Sequence, residues 1–292
     1  MTRVFLSIPA LLLLPCGPSA AQQQPVAAAA AGAAIAYADV ADLVVASPLV
    51  IDATIRSEAR IKGAEAAGVP PGQARFYVEA DVARLIRGTE AIAARIGWLV
   101  DVPLDFRGRA PKLKKARVLA FARPVAGRPG QVQLVTPGAQ LAWSPAAEDL
   151  ARRVAAEVNA PDAPPVVTGV RSAFHVPGSL PGEGETQIFL ETREGRPAAI
   201  SVLRRPGEEP RWSVTLEEIF DENARAPARD TLLWYRLACA LPAALPDRAT
   251  AALEPAQAEQ ARADYAFVVA QLGPCRGSPA AAPGVSGDAG PG

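Results

Sequence analysis

The stretch ARFYVEADVARLI, residues 74–86, carries apolar side chains at every second position over most of its length. Glu79 and Asp81 lie between these positions and point the other way. A side-chain period of two is that of a β-strand with one buried and one solvated face. The stretch therefore predicts a half-buried strand. Its buried face would be Phe76, Val78, Ala80 and Val82.

Four further segments around this strand have strand-like patterns, so we expect five antiparallel strands of uneven length. DLVVASPLVIDATI (42–55) precedes it and is rich in β-branched residues, with a break at Pro48. Three runs follow it, and a Gly/Pro turn joins the last two. The charged segment 57–73, which contains a Pro-Pro pair, is predicted to be a loop. The three later runs are residues 95–103, 116–125 and 131–136.

A helix is predicted after these strands. Ser144 is a suitable N-cap, and Pro145 fits the first helical position. One side of the helix would be apolar and the other charged. The expected inner face is Ala147, Leu150, Ala151, Val154 and Val158, and the expected outer face is Glu148, Arg152, Arg153 and Glu157. Five strands and a helix favour an OB-like five-stranded β-barrel over residues 37–160.

Two strand sequences carry a resemblance to known modules. ADLVVASPLVIDATI and RFYVEADVARLIRG resemble secreted OB-like and netrin-like modules, in which an A-D-x-V-V-x-G-x-V strand precedes one ending V-x-x-V-L-K-G. This chain has Ser47 where those modules have Gly, and it lacks their N-terminal cysteines. The resemblance covers residues 41–88 and implies a barrel shape only. Taken whole, the chain also resembles secreted bacterial proteins of unknown function, which implies no activity.

A Pro-rich hinge, NAPDAPP (159–165), is the expected boundary of a second domain over residues 166–276. Its first strand would be 166–176. Turn signals separate three more strand-like runs, which predicts an antiparallel meander. Two helices, 229–242 and 254–275, are expected to cover the meander. The three runs are residues 186–192, 198–205 and 211–218, and the second helix has the apolar face Ala261, Tyr265, Val268 and Leu272.

The N-terminus predicts export. Residues 1–21 have the features of a signal peptide, with Arg3, an apolar core too short to span a bilayer, and small residues before Gln22. A lipid anchor at Cys16 is disfavoured because Pro15 occupies a position that requires a small residue. We therefore expect a secreted, periplasmic protein. Residues 22–36 are predicted to be a low-complexity linker, and residues 277–292 a disordered tail.

The cysteines agree with this compartment. Cleavage of the signal would leave Cys239 and Cys275 as the only two cysteines. In an oxidising compartment a single pair most simply forms one structural disulfide. Redox motifs favour a C-x-x-C spacing and structural zinc requires four ligands, so neither alternative fits this pair.

The sequence makes several chemistries improbable. Basic and acidic residues balance at 30 each, so no global field favours nucleic acid, and no sequence-specific nucleic-acid binding is expected. The chain contains no G-x-S-x-G nucleophile motif, and its single histidine is a poor basis for a zinc set. We expect no cofactor and no metal. Whether the protein is an enzyme stays open, and a non-enzymatic role is favoured.

The single histidine lies in AFHVPGSLPGEGETQIFL, residues 173–190. Weak catalytic candidates here are His175, Glu183 and Glu185, and the Pro-Gly pairs between them are turn signals. The stretch resembles the FHRVI…SQFFI segment of cyclophilin-like isomerases at four positions: Phe174, His175, Gln187 and Phe189. Val176 stands where that family has its catalytic arginine. The alternative function is thus a hydrolase or isomerase centred on 172–189.

A basic cluster is the main binding candidate. RGRAPKLKKAR (107–117) contains three of the four lysines of the chain. It predicts contact with an anionic polymer or a membrane surface. The alternative is a solvated loop whose charges prevent strands of two molecules from pairing. We expect a binding or envelope-associated module. The candidate binding residues are Arg107, Arg109, Lys112, Lys114, Lys115 and Arg117.

Overall fold

The computed structural model describes residues 35–216 and 224–276. The predicted signal peptide, nearly all of the linker and the predicted tail lie outside these ranges. The described chain has an α+β fold with two antiparallel sheets, as expected. Among the described residues, no helix has the length and apolarity that a membrane span requires.

The first sheet and its helices occupy the N-terminal part of the described chain. The strands are β1 (Leu49–Arg60), β2 (Gln73–Arg87), β3 (Arg95–Pro103), β4 (Arg117–Pro124), β5 (Val132–Leu134) and β6 (Gln140–Ala142), and the helices are α1 (Tyr37–Ala46) and α2 (Pro145–Asn159). The second sheet contains β7 (Val167–Pro177), β8 (Gly184–Thr192), β9 (Ala199–Arg204) and β10 (Arg211–Thr215). It is followed by α3 (Leu232–Ala238) and α4 (Pro255–Leu272).

The alternating stretch 74–86 forms β2, as predicted, and β2 pairs with β1 and β3. Phe76, Val78 and Ala80 are buried, whereas Glu79 is exposed. The predicted strand 95–103 is also confirmed. Its alternate residues, including Trp98 and Val100, are buried beside those of β2. The period-two patterns of the two strands therefore meet on one apolar face, which is the core side of the sheet.

The prediction of a strand at 42–46 is wrong, because these residues belong to α1. The buried residues of α1 recur every three or four positions and face the core: Tyr37, Val40, Ala41 and Val44. Burial of this face outweighs the strand preference of its valines. Arg87 ends the helix by donating hydrogen bonds to the carbonyl groups of Val44 and Ser47. Pro48 then forces an extended backbone, and β1 begins at Leu49.

The predicted loop 57–73 is shorter than expected, because β1 continues to Arg60 and β2 begins at Gln73. Residues 57–60 pair with residues 76–79 of β2. These added residues of β1 are exposed, so the apolar pattern of a buried strand is absent from them. Backbone pairing with β2 extends the strand here without side-chain burial.

The first sheet is not a closed barrel, so the OB-like barrel is not confirmed. The strand order is β3-β2-β1-β4-β5, and β6 pairs with β4. The two ends of this order approach each other: a parallel bridge joins Gly97 of β3 to Gln131. Gly97 N–H also donates to the carbonyl of Gly130 at 2.9 Å, and Asp101 N–H to that of Pro137 at 2.8 Å. β5 and β6 are too short to complete a ladder with β3.

The helix predicted after Ser144 is confirmed as α2. The Ser144 hydroxyl accepts a hydrogen bond from the N–H of Ala147 at 3.1 Å. Ala147, Ala151 and Val154 are buried as expected. Glu148 was predicted on the outer face, and this is wrong because it is buried against the sheet. Its carboxylate instead accepts hydrogen bonds from three side chains: Arg84, Trp143 and Arg152.

The second sheet is the predicted meander, with the order β10-β9-β8-β7. α4 packs across β7 and β8 through the predicted apolar face, whose four residues are all buried. α3 starts later than expected. Its N-cap is Thr231, whose hydroxyl accepts a hydrogen bond from the N–H of Trp234. The cysteine prediction is supported, since Cys239 and Cys275 have Cα atoms 4.9 Å apart and form a disulfide.

Helices α1, α2 and α3 join the two sheets. The Tyr37 hydroxyl donates to Glu157 at 2.6 Å, and the same carboxylate accepts from Leu232 N–H at 2.7 Å. The ring of Tyr37 meets that of Trp234 edge-on, with centroids 6.3 Å apart. Buried side chains of both sheets belong to one continuous hydrophobic cluster. The predicted division at 159–165 into two domains stays a prediction.

Candidate functional site

The basic cluster occupies the connection from β3 to β4, and its backbone is held in place. The carboxylate of Glu58 accepts hydrogen bonds from the N–H groups of Leu113 at 2.6 Å and Lys114 at 2.7 Å. Leu113 is buried, and Lys115 N–H donates to the carbonyl of Ile55 at 2.7 Å. Because its backbone is fixed to β1, this loop presents its lysine side chains at a defined place on the surface.

The positive charges of this loop are largely uncompensated. Among the described residues, no carboxylate forms an ion pair with Arg107, Lys112, Lys114 or Lys115, although all four are exposed. Arg109 pairs with Asp105 at 3.1 Å. An apolar ring projects beside these charges: Phe106 is 92 % exposed, and the Arg107 guanidinium lies 5.1 Å from its centroid. The loop therefore combines an exposed ring with free cations.

Arg117 is placed differently from the rest of the predicted cluster. It forms two hydrogen bonds with the buried carboxylate of Asp52, at 2.9 and 2.6 Å. Its guanidinium stacks on Trp143 at 3.7 Å from the ring centroid. The hydrogen bond with Asp52 raises the pKa of Arg117 above its ordinary value. Arg117 thus neutralises a buried charge of the sheet, and its guanidinium is occupied.

His175 lies at the end of a polar chain between the second sheet and α4. Its Nδ1 is 2.9 Å from the hydroxyl of Thr186, the residue opposite it on β8. The Thr186 hydroxyl donates to the carboxylate of Asp264 on α4, which also accepts from Arg204 Nε at 2.5 Å and Gln260 Nε2 at 3.1 Å. Thr186 and Asp264 are fully buried. Each oxygen of Asp264 therefore has a donor.

This chain of bonds assigns the tautomer of His175. The Thr186 hydroxyl has one hydrogen and gives it to Asp264, so its oxygen must accept from Nδ1–H of the imidazole. In neutral His175 the lone pair then lies on Nε2, where it can accept a proton. The ring packs over Gly184, where a Cβ atom would lie 2.6 Å from Cε1 of His175. Glycine at 184 is therefore required for this ring position.

The other two catalytic candidates do not join His175. Glu183 closes the turn between β7 and β8, since its Oε2 accepts from the N–H groups of Ser179 at 3.0 Å and Leu180 at 3.2 Å. Glu185 lies on the opposite face of β8 from Thr186 and accepts from Gln187 at 2.9 Å. Across residues 35–216 and 224–276, no three His, Cys, Asp or Glu side chains converge as a metal site.

Sequence reasoning missed Thr186, Arg204, Gln260 and Asp264. One signal was present. Asp264 is a charged residue three positions after Ala261 and four before Val268, and so lies within the apolar stripe of α4. A carboxylate in such a stripe is buried only with partners. Gln260 is on the same helix, but Thr186 and Arg204 come from β8 and β9, which the helix pattern does not identify.

Two comparisons of the sequence with known proteins find no relative. A scan against protein-family models finds no match to this chain, and a search of curated proteins finds no similar sequence.

Proposed function

We propose that the protein is a secreted, envelope-associated binding module that docks on an anionic membrane surface. The docking segment is the connection from β3 to β4, residues 104–116, which holds the basic cluster except Arg117 and is called the basic loop below. The observation that carries the proposal is the nearly full exposure of Phe106 beside cations without a carboxylate partner among the described residues. The predicted export signal and the Cys239–Cys275 disulfide support a location outside the cytoplasm.

The expected energies are sufficient for reversible docking. Each lysine or arginine near an anionic surface contributes about 1 kcal/mol, and the loop presents four such side chains that have no carboxylate partner among the described residues. Insertion of the Phe106 ring into the interface adds about 2 kcal/mol. The Phe106 ring can be buried in a membrane interface, but a charged polymer without apolar surface offers no place to bury it. Phe106 therefore favours the membrane over the polymer.

Vesicle co-sedimentation tests the proposal. We expect retention on vesicles containing phosphatidylglycerol, little retention on pure phosphatidylcholine, and weaker binding at high salt. Joint neutralisation by Lys112→Gln, Lys114→Gln and Lys115→Gln should weaken binding by about 100-fold. Phe106→Ser should weaken it by about 30-fold.

The matched control removes three exposed arginines elsewhere, with the same change of charge: Arg171→Gln, Arg193→Gln and Arg205→Gln. Its vesicle binding should stay close to that of the wild type. Equal loss in the control and the lysine variant would refute a specific docking loop. Retention on heparin that depends on the lysines, with vesicle binding unaffected by Phe106→Ser, would identify an anionic polymer as the partner instead.

The OB-like interpretation of the first sheet belongs to this proposal. It is supported by the strand order β3-β2-β1-β4-β5 and by the parallel bridge between the two ends of that order. A closed barrel would need β3 and β5 to pair, whereas the bridge at Gly97 is made with Gln131, just before β5.

The alternative function is a hydrolase or isomerase centred on 172–189. The observation in its favour is the assigned tautomer of His175, which makes Nε2 a base. Neither Glu183 nor Glu185 is placed to act with it, which is why we favour binding. If a hydrolase or prolyl isomerase activity of the protein persists at full rate in His175→Ala, this alternative is refuted.

A further inference from the structure

A cleft of 630 Å³ opens on the outer face of the first sheet, between β3 and the segment 131–137. It exists because β3 and β5, both wholly described, do not pair with each other; the bridge at Gly97 is made with Gln131, just before β5. Backbone bonds close the gap at Gly97 and again at Asp101. Between these two points β3 and β5 form no ladder. The volume is in the range of small-molecule sites, about 300–1,000 Å³.

The lining of the cleft is positively charged. Among the described residues that line it, Asp101 is the one acidic residue, and it is buried and neutralised by Arg75 through hydrogen bonds of 2.7 and 2.8 Å. Arg123 and Arg128 also line the cleft, and neither pairs with a carboxylate of the described residues. The cleft therefore has a net positive charge.

The two free arginines are held at the rim on the side of β5. Arg123 Nε donates to the side-chain oxygen of Gln133 at 3.2 Å, and Arg128 Nη1 donates to that of Gln131 at 3.2 Å. These amide contacts leave most of the guanidinium N–H groups available. Arginine in this state is well suited to bind a carboxylate, sulfonate or phosphate, because two parallel N–H groups match two anionic oxygens.

The floor of the cleft is apolar. Leu99 is 50 % exposed there, although it lies in the middle of β3. The hydroxyl end of the Tyr77 side chain lies over Gly97, where a Cβ atom would be only 2.2 Å from the hydroxyl oxygen. The absence of a side chain at Gly97 thus lets an aromatic ring form part of the floor. An anion bound by the arginines would place its attached group on this apolar surface.

We propose that this cleft binds a small organic anion, in which an anionic group is attached to an apolar ring or chain. Arg123 and Arg128 bind the anionic group, and Leu99 and Tyr77 contact the apolar part. The site is separate from the basic loop 104–116, whose proposed partner is a surface. Its ligand specificity comes from the combination of free charge and exposed apolar side chains in one concave place.

Fluorescence titration of the full-length protein tests the proposal with two probes that share a ring system. 8-Anilinonaphthalene-1-sulfonate is a ring system with an anionic group, and N-phenyl-1-naphthylamine is the same system without it. We expect saturable binding of the sulfonate. Joint Arg123→Gln and Arg128→Gln substitution should raise its Kd about tenfold or more, and should leave the Kd of the neutral probe within about twofold. Leu99→Trp should fill the floor and weaken both probes.

Two control variants separate this cleft from other surfaces that could hold the probe. The lysine variant of the 104–116 loop, and Phe174→Ser with Val176→Ser on the exposed face of the second sheet, should both bind the sulfonate with the wild-type Kd. Near-UV circular dichroism checks that every variant is folded. The proposal is overturned if the wild type shows no saturable binding, if the arginine variant or Leu99→Trp binds the sulfonate as the wild type does, or if a control variant abolishes binding.

Discussion

Among single residues, Asp264 joins α4 to the second sheet, because its fully buried carboxylate accepts from Thr186 and Arg204. Asp264→Ala should lower the free energy of unfolding by about 3 kcal/mol, since both donors lose their partner in a buried site. Urea denaturation measures this change. Glu259→Ala, at an exposed position of the same helix, is the control. A similar small effect for both variants would show that the network adds little stability.

The buried phenol of Tyr265 is expected to make the protein less stable at alkaline pH. Burial raises the pKa of Tyr265 to about 12, and its hydroxyl donates to the carbonyl of Pro242 at 2.6 Å. The unfolded phenol titrates near pH 10, so the folded state disfavours its ionisation. The stability that the protonated phenol contributes is fully present below pH 10. About 2–3 kcal/mol of the free energy of unfolding is lost as the pH rises from 10 to 12.

Tyr265→Phe isolates that contribution. At pH 8 the variant should be less stable than the wild type by about 1 kcal/mol, because a buried hydrogen bond is lost. The difference should shrink and then change sign as the pH approaches 12, since only the wild type loses the phenol contribution. Urea unfolding of both proteins from pH 8 to 11.5 measures it. Parallel curves over this range would contradict the raised pKa.

Between elements, the disulfide connects the end of the short helix α3 to the residues after α4. Cys239 and Cys275 are 36 residues apart in the sequence. Cys239→Ser with Cys275→Ser should reduce stability by about 3–4 kcal/mol, because the unfolded chain gains the freedom of an open loop. Thermal unfolding of the double variant measures the loss, and the wild type treated with a reductant is the comparison. Unchanged melting in both would mean that the bond does not form in solution.

For the whole molecule, the contacts of α1 and α2 with α3 predict cooperative unfolding of both sheets. Tyr37, Glu157 and Tyr235 connect these helices, and the Tyr235 hydroxyl donates to Asp42 of α1. We expect one transition, with far-UV circular dichroism and tryptophan fluorescence coincident. A separate fragment 166–276 should be less stable than the same residues in the full chain. Two resolved transitions would instead support two independent domains divided at 159–165.

The sequence by itself was enough for features that depend on neighbouring residues. The period-two pattern predicted β2 and β3, the Ser144–Pro145 pair predicted the start of α2, and the two remaining cysteines predicted their bond. The closely spaced cationic residues of 107–117 likewise predicted the basic loop. Each of these signals is local, or has a single available partner, so no knowledge of the packing was needed.

Only the tertiary structure decided features that need distant residues to meet. Valines at 40–46 suit a strand by preference, yet burial of one face makes them a helix. Thr186 and Arg204 reach Asp264 across sequence separations of 78 and 60 residues. The cleft beside Leu99 exists because β5 is too short to pair with β3. Nothing in the sequence distinguishes its arginines from other surface residues. Only the approach of β3 to the segment 131–137 places both of them beside one concave, apolar surface.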